Sequence, residues 1–150
     1  MVFIVVLAFI IFWKNCVFMS TLAVRIYYED TDAGGVVYYA NYLKFFERGR
    51  TEFLRELDIQ QDTLLDKNIA FVVRKVEMDC LKPARFNALL SVKTQITGHK
   101  KASLIFQQEV FHENGELLCQ ASTLIACVNL QKMKPAAIPA EIIEVIASAC

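Results

Sequence analysis

The spacing of the apolar residues changes once along this chain. From Ala40 to Leu57 they recur at three and four positions: Tyr42, Phe46, Gly49, Phe53 and Leu57 fall on one helical face, widened by Leu43, Phe45 and Leu54. Lys44, Glu47, Arg48, Thr51 and Arg55 take the other face. That spacing lays a single apolar stripe along a helix. Elsewhere the alternation is mostly every second residue, the mark of strands with one covered face. One long helix and several such strands hide their apolar faces best against each other. The expected fold is α+β, an antiparallel curved sheet of about five strands wrapped around one long helix.

The strands can be placed. Val24, Ile26 and Tyr28 alternate with Arg25, Tyr27 and Glu29 and predict the first. Val72, Arg74, Val76, Met78 and Cys80 alternate against Val73, Lys75, Glu77 and Asp79, and Pro83 ends that run. Leu90, Val92, Thr94 and Ile96 follow, then Gly98-His99-Lys100-Lys101 as a connecting turn, then a strand from Leu104 to Phe111. Asn114-Gly115 is a strong hairpin signal because it supplies two positive-φ residues. Leu117 to Leu130 is nearly all apolar or small, as in a central strand. Asp58 to Lys67 predicts a short second helix and loop, and Glu141 to Ala149 a terminal helix after Pro135 and Pro139. Exposed sheet edges and a broad apolar helix predict pairing with a second copy.

The length of 150 residues suits one domain with one sizeable core. Sixteen basic residues balance sixteen acidic ones, so bulk charge favours neither nucleic acid nor a membrane surface as partner. Five cysteines, an odd number with no C-x-x-C pair, predict neither a disulfide framework nor a zinc site. Cys80, Cys119 and Cys127 lie in apolar strand-like segments and read as buried free thiols, which fits a reducing compartment. Residues 1–18 stand apart as an apolar N-terminal extension to a domain at 19–150. Met1 to Trp13 is unbroken apolar sequence, shorter than the roughly 20 residues of a comfortable membrane span. Three readings stay open for it: sequence upstream of a true start at Met19, a short membrane anchor, or a segment packed on the fold.

The chemistry concentrates in Tyr28-Glu-Asp-Thr-Asp-Ala-Gly-Gly-Val-Val-Tyr-Tyr-Ala-Asn-Tyr42. Glu29, Asp30 and Asp32 precede Gly34-Gly35, and the long helix begins a few residues later. Asp-x-Asp alone is an ordinary solvated turn. What raises Asp32 above that is its continuation. Gly35 lets backbone approach a ligand closely, and Val36, Val37, Tyr38 and Tyr39 supply apolar walls. The helix N-terminus near Tyr39 to Asn41 offers unpaired N–H groups that can polarise a carbonyl and hold an oxyanion. A carboxylate beside that point can act as nucleophile or as general base on water. Competing schemes lack partners. A metal needs more oxygen ligands, and no phosphate-cradling glycine loop occurs. His99 and His112, the only histidines, sit in predicted turns at no metal spacing, and no G-x-S-x-G elbow exists.

The pattern Tyr28-x-Asp30-Thr31-Asp32-x-x-Gly35-x-Val37-Tyr38-x-x-x-Tyr42-x-x-x-Phe46-x-x-x-Arg50 resembles the signature of the hotdog-fold acyl-CoA thioesterases. The match is to the YbgC type within the 4-hydroxybenzoyl-CoA thioesterase family, from about Val24 to Pro139. The resemblance implies hydrolysis of acyl-CoA to free acid and CoA, without metal or redox cofactor. It places Asp32 in the catalytic position and makes the Tyr39 N–H the carbonyl-polarising donor. Close YbgC relatives often carry His where Tyr39 stands, which leaves its side chain without an assigned role. Gly35, Val37 and Tyr38 would line the substrate, and Lys100, Lys101, Lys132 and Lys134 would meet the coenzyme A phosphates. It further implies a homodimer or homotetramer with the site at the subunit interface, and acyl carrier protein as an alternative carrier. A bacterial cytoplasmic protein, linked to the Tol-Pal envelope system or to phospholipid synthesis, is the expected setting. A non-catalytic hotdog module that binds acyl chains or acyl carrier protein is the competing reading.

Overall fold

The structure is a computed structural model that describes residues 18–150. Five antiparallel strands form one sheet in the order β1-β3-β4-β5-β2: β1 (Ser20–Arg25), β2 (Ile69–Cys80), β3 (Leu89–Lys100), β4 (Ser103–His112) and β5 (Leu117–Asn129). A two-residue β6 (Lys134–Pro135) pairs with the end of β5. Helix α1 (Asn41–Glu56) packs on the inner face, mainly over β1 and β3. The short α2 (Gln61–Asp66) leans on β2, and α3 (Ala140–Ala149) closes the chain. The wrapped helix and the antiparallel sheet are as expected, with β6 added.

Tyr42, Phe45, Phe46, Gly49, Phe53 and Leu54 of α1 are buried. They meet the inward residues of every second sheet position, including Leu90 and Val92 of β3, Phe106 and Val110 of β4 and Ala121 and Ile125 of β5. Leu43 is 41% exposed, so the buried stripe is narrower on that flank than the spacing suggests. The core divides into two clusters, one around Tyr42, Phe45 and Phe46, the other around Phe53 and Phe106. Between them lies a buried polar bridge. Gln108 Nε2 donates to the Phe46 carbonyl at 2.8 Å and to Thr94 Oγ1 at 2.9 Å, while Arg50 donates to Gln108 Oε1 at 2.9 Å. Burial pushes Arg50 below its ordinary range, partly opposed by Glu47.

Gly49 faces that bridge. A Cβ there would lie 2.7 Å from Thr94 Oγ1, 3.0 Å from Gln108 Nε2 and 3.1 Å from Val92 Cγ1. Overpacking of this kind costs about 1–3 kcal/mol, against about 1 kcal/mol regained from helix propensity. Gly49→Ala is therefore expected to lower the urea midpoint, with no change in the slope of the transition.

Four sequence expectations need correction. β1 ends at Arg25, and Tyr28–Asp30 forms one 3-10 turn because Asp30 Oδ2 accepts the Tyr27 N–H at 2.8 Å. Gly98, His99 and Lys100 belong to β3, which continues through an irregularity between Ile96 and Gly98. His99 and His112 thus lie in strands and are half-buried, not in exposed turns. Cys150 is disulfide-bonded, while Cys80, Cys119 and Cys127 are free, and Cys80, expected buried, is exposed because β2 is a sheet edge.

The extension expected at residues 1–18 falls outside the described residues up to position 17. Phe18 itself packs on Phe53, ring centroids 5.1 Å apart and edge to face. Among the described residues no helix is long and apolar enough to cross a membrane.

Candidate active site

The acidic segment folds into a tight loop between β1 and α1. Asp32 N–H donates to the Val36 carbonyl at 2.9 Å, and Thr31 bridges to Val37. Gly35 takes a positive φ of 74°, which closes the turn and donates its N–H back to the Asp32 carbonyl at 3.0 Å. The segment after β2 then fixes the loop to the sheet: Val37 N–H donates to the Ala84 carbonyl at 2.9 Å, and Val36 bridges to Arg85.

Asp32 is exposed at the tip of this loop. Its Oδ1 accepts the Gly34 N–H at 2.8 Å, the geometry of an Asx turn. A Cβ on Gly34 would stand 3.1 Å from that same oxygen, so the glycine gives the carboxylate its room. Among the described residues Oδ2 has no hydrogen-bond partner, which leaves one oxygen of the carboxylate for chemistry. Asp30 has a different task. Its carbonyl accepts the Tyr38 N–H and the Asn41 side-chain amide, both at 2.9 Å, and ties the loop to the start of α1.

The helix start also differs in detail from the expectation. Asn41, Tyr42 and Leu43 N–H groups are taken by the carbonyls of Tyr38, Tyr39 and Ala40 in tight turns. Ala40 caps the helix without a side-chain hydrogen bond. The donors without an acceptor among the described residues are the N–H groups of Tyr39 and Ala40, immediately before the helix. Of the amides expected to be unpaired from Tyr39 to Asn41, Asn41 is taken by the Tyr38 carbonyl, which only the turn geometry shows.

Of the expected walls, Tyr38 and Tyr39 are 46% and 59% exposed and meet edge to face at 4.9 Å. A hydrogen bond with Tyr39 raises the Tyr38 phenol above its ordinary value. Val37 is buried and serves the core, so the wall is narrower than four residues. Behind it, burial pushes the Tyr42 phenol from 10.0 to about 12, with the nearby Cys119 and Cys80 adding to the shift. A raised phenol contributes stability that is complete below pH 10 and lost as pH rises towards 12. Stability measured by urea unfolding is expected to fall across that window, less steeply in Tyr42→Phe.

The four lysines gather at the opposite end of the sheet. Lys100 ends β3 and Lys101 opens the turn to β4. Lys101 carbonyl accepts the Ile138 N–H at 2.8 Å. Lys132 precedes β6 and Lys134 lies in it, paired with Asn129. Lys100 and Lys101 line an open cleft of about 570 Å³ with Ile138, Ile143 and Glu144. The Asp32 loop sits beyond the Leu89 end of β3, so the full strand, roughly 35 Å, separates it from Lys100 within one chain. The described residues contain no cluster of three or more His, Cys, Asp or Glu able to hold a metal.

The sequence profile of the thioesterase-like superfamily matches residues 27–146. The chain belongs to the thioesterase-like superfamily. The matched span holds the Asp32 loop, α1 and every strand after it. This thioesterase-like chain is 47% identical over 120 residues to the acyl-CoA thioester hydrolase YbgC of Escherichia coli, covering 80% of this chain and 90% of that one. It is 49% identical to the acyl-CoA thioesterase YbgC of Haemophilus influenzae, over 79% and 88%. Its fold superposes on the crystal structure of a probable thioesterase from Bartonella henselae with a TM-score of 0.75 at 38% identity, covering 81% of this chain and 99% of the other.

Proposed function

We propose that this thioester hydrolase cleaves acyl-CoA to a free acid and CoA, with Asp32 at the centre of the chemistry. One observation carries the proposal. The loop that leaves an Asp32 oxygen unpaired also leads into two N–H groups, Tyr39 and Ala40, that have no acceptor among the described residues. A thioester carbonyl received by those amides becomes more electrophilic, and its oxyanion gains preorganised donors as it forms. Asp32 then acts in one of two ways. As nucleophile it displaces the CoA thiolate and forms an acyl anhydride, which water cleaves. As general base it takes a proton from water, whose oxygen attacks the carbonyl directly. Either route consumes one water and returns the proton to the departing sulfur. Gly35 would let backbone approach the substrate, and the Tyr38 and Tyr39 rings would border it.

Dimer formation supplies what a single chain lacks. β2 is a sheet edge of 12 residues, with Val72 and Val73 40% and 52% exposed. Long edges with exposed apolar side chains favour pairing with another strand. Antiparallel pairing of two β2 edges about a twofold axis reverses the ends of the second sheet. The partner's lysine-bearing end then approaches the Asp32 end of this chain. Lys100, Lys101, Lys132 and Lys134 of one copy would so reach the phosphates of a CoA whose thioester lies at the other copy's Asp32. A homodimer, or a homotetramer built from two, is the expected assembly. A phosphopantetheine arm on acyl carrier protein presents the same thioester and is the alternative carrier. We place the protein in the cytoplasm, where acyl-CoA is made and free thiols persist.

Release of free thiol from short, long and aromatic acyl-CoAs tests this reading. Multiple turnovers with at least one class are expected. Binding of every class without turnover would favour a non-catalytic acyl-binding module instead.

A further inference from the structure

We propose that Cys80 and Cys119 form a reversible dithiol–disulfide site, oxidised by hydrogen peroxide, beside the strap that holds the Asp32 loop. The two residues are direct register partners on β2 and β5. Leu81 N–H donates to the Leu118 carbonyl at 2.8 Å, one step beyond the pair on each strand. That bond identifies Cys80 and Cys119 as a non-hydrogen-bonded pair, in which the Cα atoms of antiparallel strands approach to about 4.5 Å and the side chains stand closest. A disulfide requires Cα atoms about 4.4–6.8 Å apart, so the bond needs little backbone movement. Side chains directly opposite each other on antiparallel strands share one face of the sheet. Both are free. Cys127, the third free thiol among the described residues, faces Phe71 in the register and not a cysteine.

The pair is asymmetric. Within one chain Cys80, the last residue of β2, is exposed and Cys119 is fully buried. Peroxide reaches Cys80 first: its sulfur takes one peroxide oxygen to become a sulfenic acid, and the peroxide leaves as water. The Cys119 sulfur then attacks Cys80 sulfur, forming the S–S bond and releasing a second water. Two thiols and one peroxide give one disulfide and two waters. Burial, chiefly, raises the Cys119 thiol, so it is not the point of entry; its place opposite Cys80 makes it the resolving partner.

The position ties the pair to the candidate site. Directly after Cys80, the N–H groups of Leu81 and Lys82 both donate to the Leu118 carbonyl, and the Ala84 carbonyl then receives Val37 N–H. A disulfide would lock the root of that strap to β5.

The test is peroxide treatment of the folded full chain, followed by alkylation, intact mass and non-reducing peptide mapping. The expected result is a loss of about 2 Da, a mapped Cys80–Cys119 link, and recovery of both thiols with dithiothreitol. Cys119→Ala is expected to leave Cys80 to proceed to the sulfinic acid, a gain of about 32 Da, and Cys80→Ser to leave Cys119 unmodified. Sulfinic acid at Cys80 in the unsubstituted chain, a link from Cys80 to Cys16 or Cys150, or Cys80 and Cys119 both still alkylated after peroxide would overturn the proposal.

Discussion

Asp32→Asn is expected to lower kcat/KM for acyl-CoA by roughly 10²–10⁴-fold, the range for losing a positioned acid or base. Asn keeps the shape and can still accept the Gly34 N–H that Oδ1 now takes at 2.8 Å. The loop is held mainly by backbone bonds, from Asp32 to Val36, Tyr38 to Asp30 and Val37 to Ala84. None involves the substituted carboxylate. The change therefore removes charge and basicity while leaving the fold, and the thermal midpoint is expected to stay within a few degrees. In the proposed mechanism the carboxylate acts on the reacting carbonyl and not on the CoA moiety, so the loss is expected in kcat more than in KM.

The second large effect separates the backbone of Tyr39 from its side chain. Tyr39→Pro removes one N–H and is expected to cost about 10²–10³-fold in kcat, the usual worth of one oxyanion donor. That N–H has no acceptor among the described residues, so its removal breaks no hydrogen bond seen in the chain. Tyr39→Phe keeps the N–H and loses only the hydroxyl shared with Tyr38. Its kcat is expected within a few-fold of the parent. Equal losses in the two variants would assign the effect to the ring and not to the amide. Circular dichroism of both variants checks that the loop and helix are retained.

Much of this arrangement is legible in the residues. The three- and four-residue spacing of Phe46, Phe53 and their neighbours marks α1, because only a helix gathers them on one face. Leu43 shows the limit of that argument. Periodicity gives the width of a stripe but not which flank the sheet covers, and Leu43 ends up outside. Gln108 was legible in principle. Leu104, Phe106 and Val110 alternate inward, and the same alternation carries Gln108 into the core. Its partners, Thr94 and the Phe46 carbonyl, come from 14 and 62 positions away and carry no local signal.

β2 was harder. Its alternation breaks between Val73 and Lys75, and its place at the edge follows from pairing with β5 alone. The Gly98 segment reads as a turn because glycine, histidine and lysines cluster there, yet a local irregularity lets β3 continue through it. In the proposed site, the exposed Asp32 carboxylate and the unpaired Tyr39 amide could be anticipated from the loop and the helix that follows it. The four lysines could be named, but not their distance from Asp32, since the end of a strand at which a residue lies depends on topology.

The most direct measurement is a side-by-side assay of the parent chain and Asp32→Asn with one acyl-CoA, following free CoA and free acid together with equilibrium binding of the substrate. The account predicts equal amounts of the two products over many turnovers from the parent, and retained binding with turnover lost by roughly 10²–10⁴-fold in the variant. Unchanged turnover in Asp32→Asn, or tight binding by the parent without product, would contradict it.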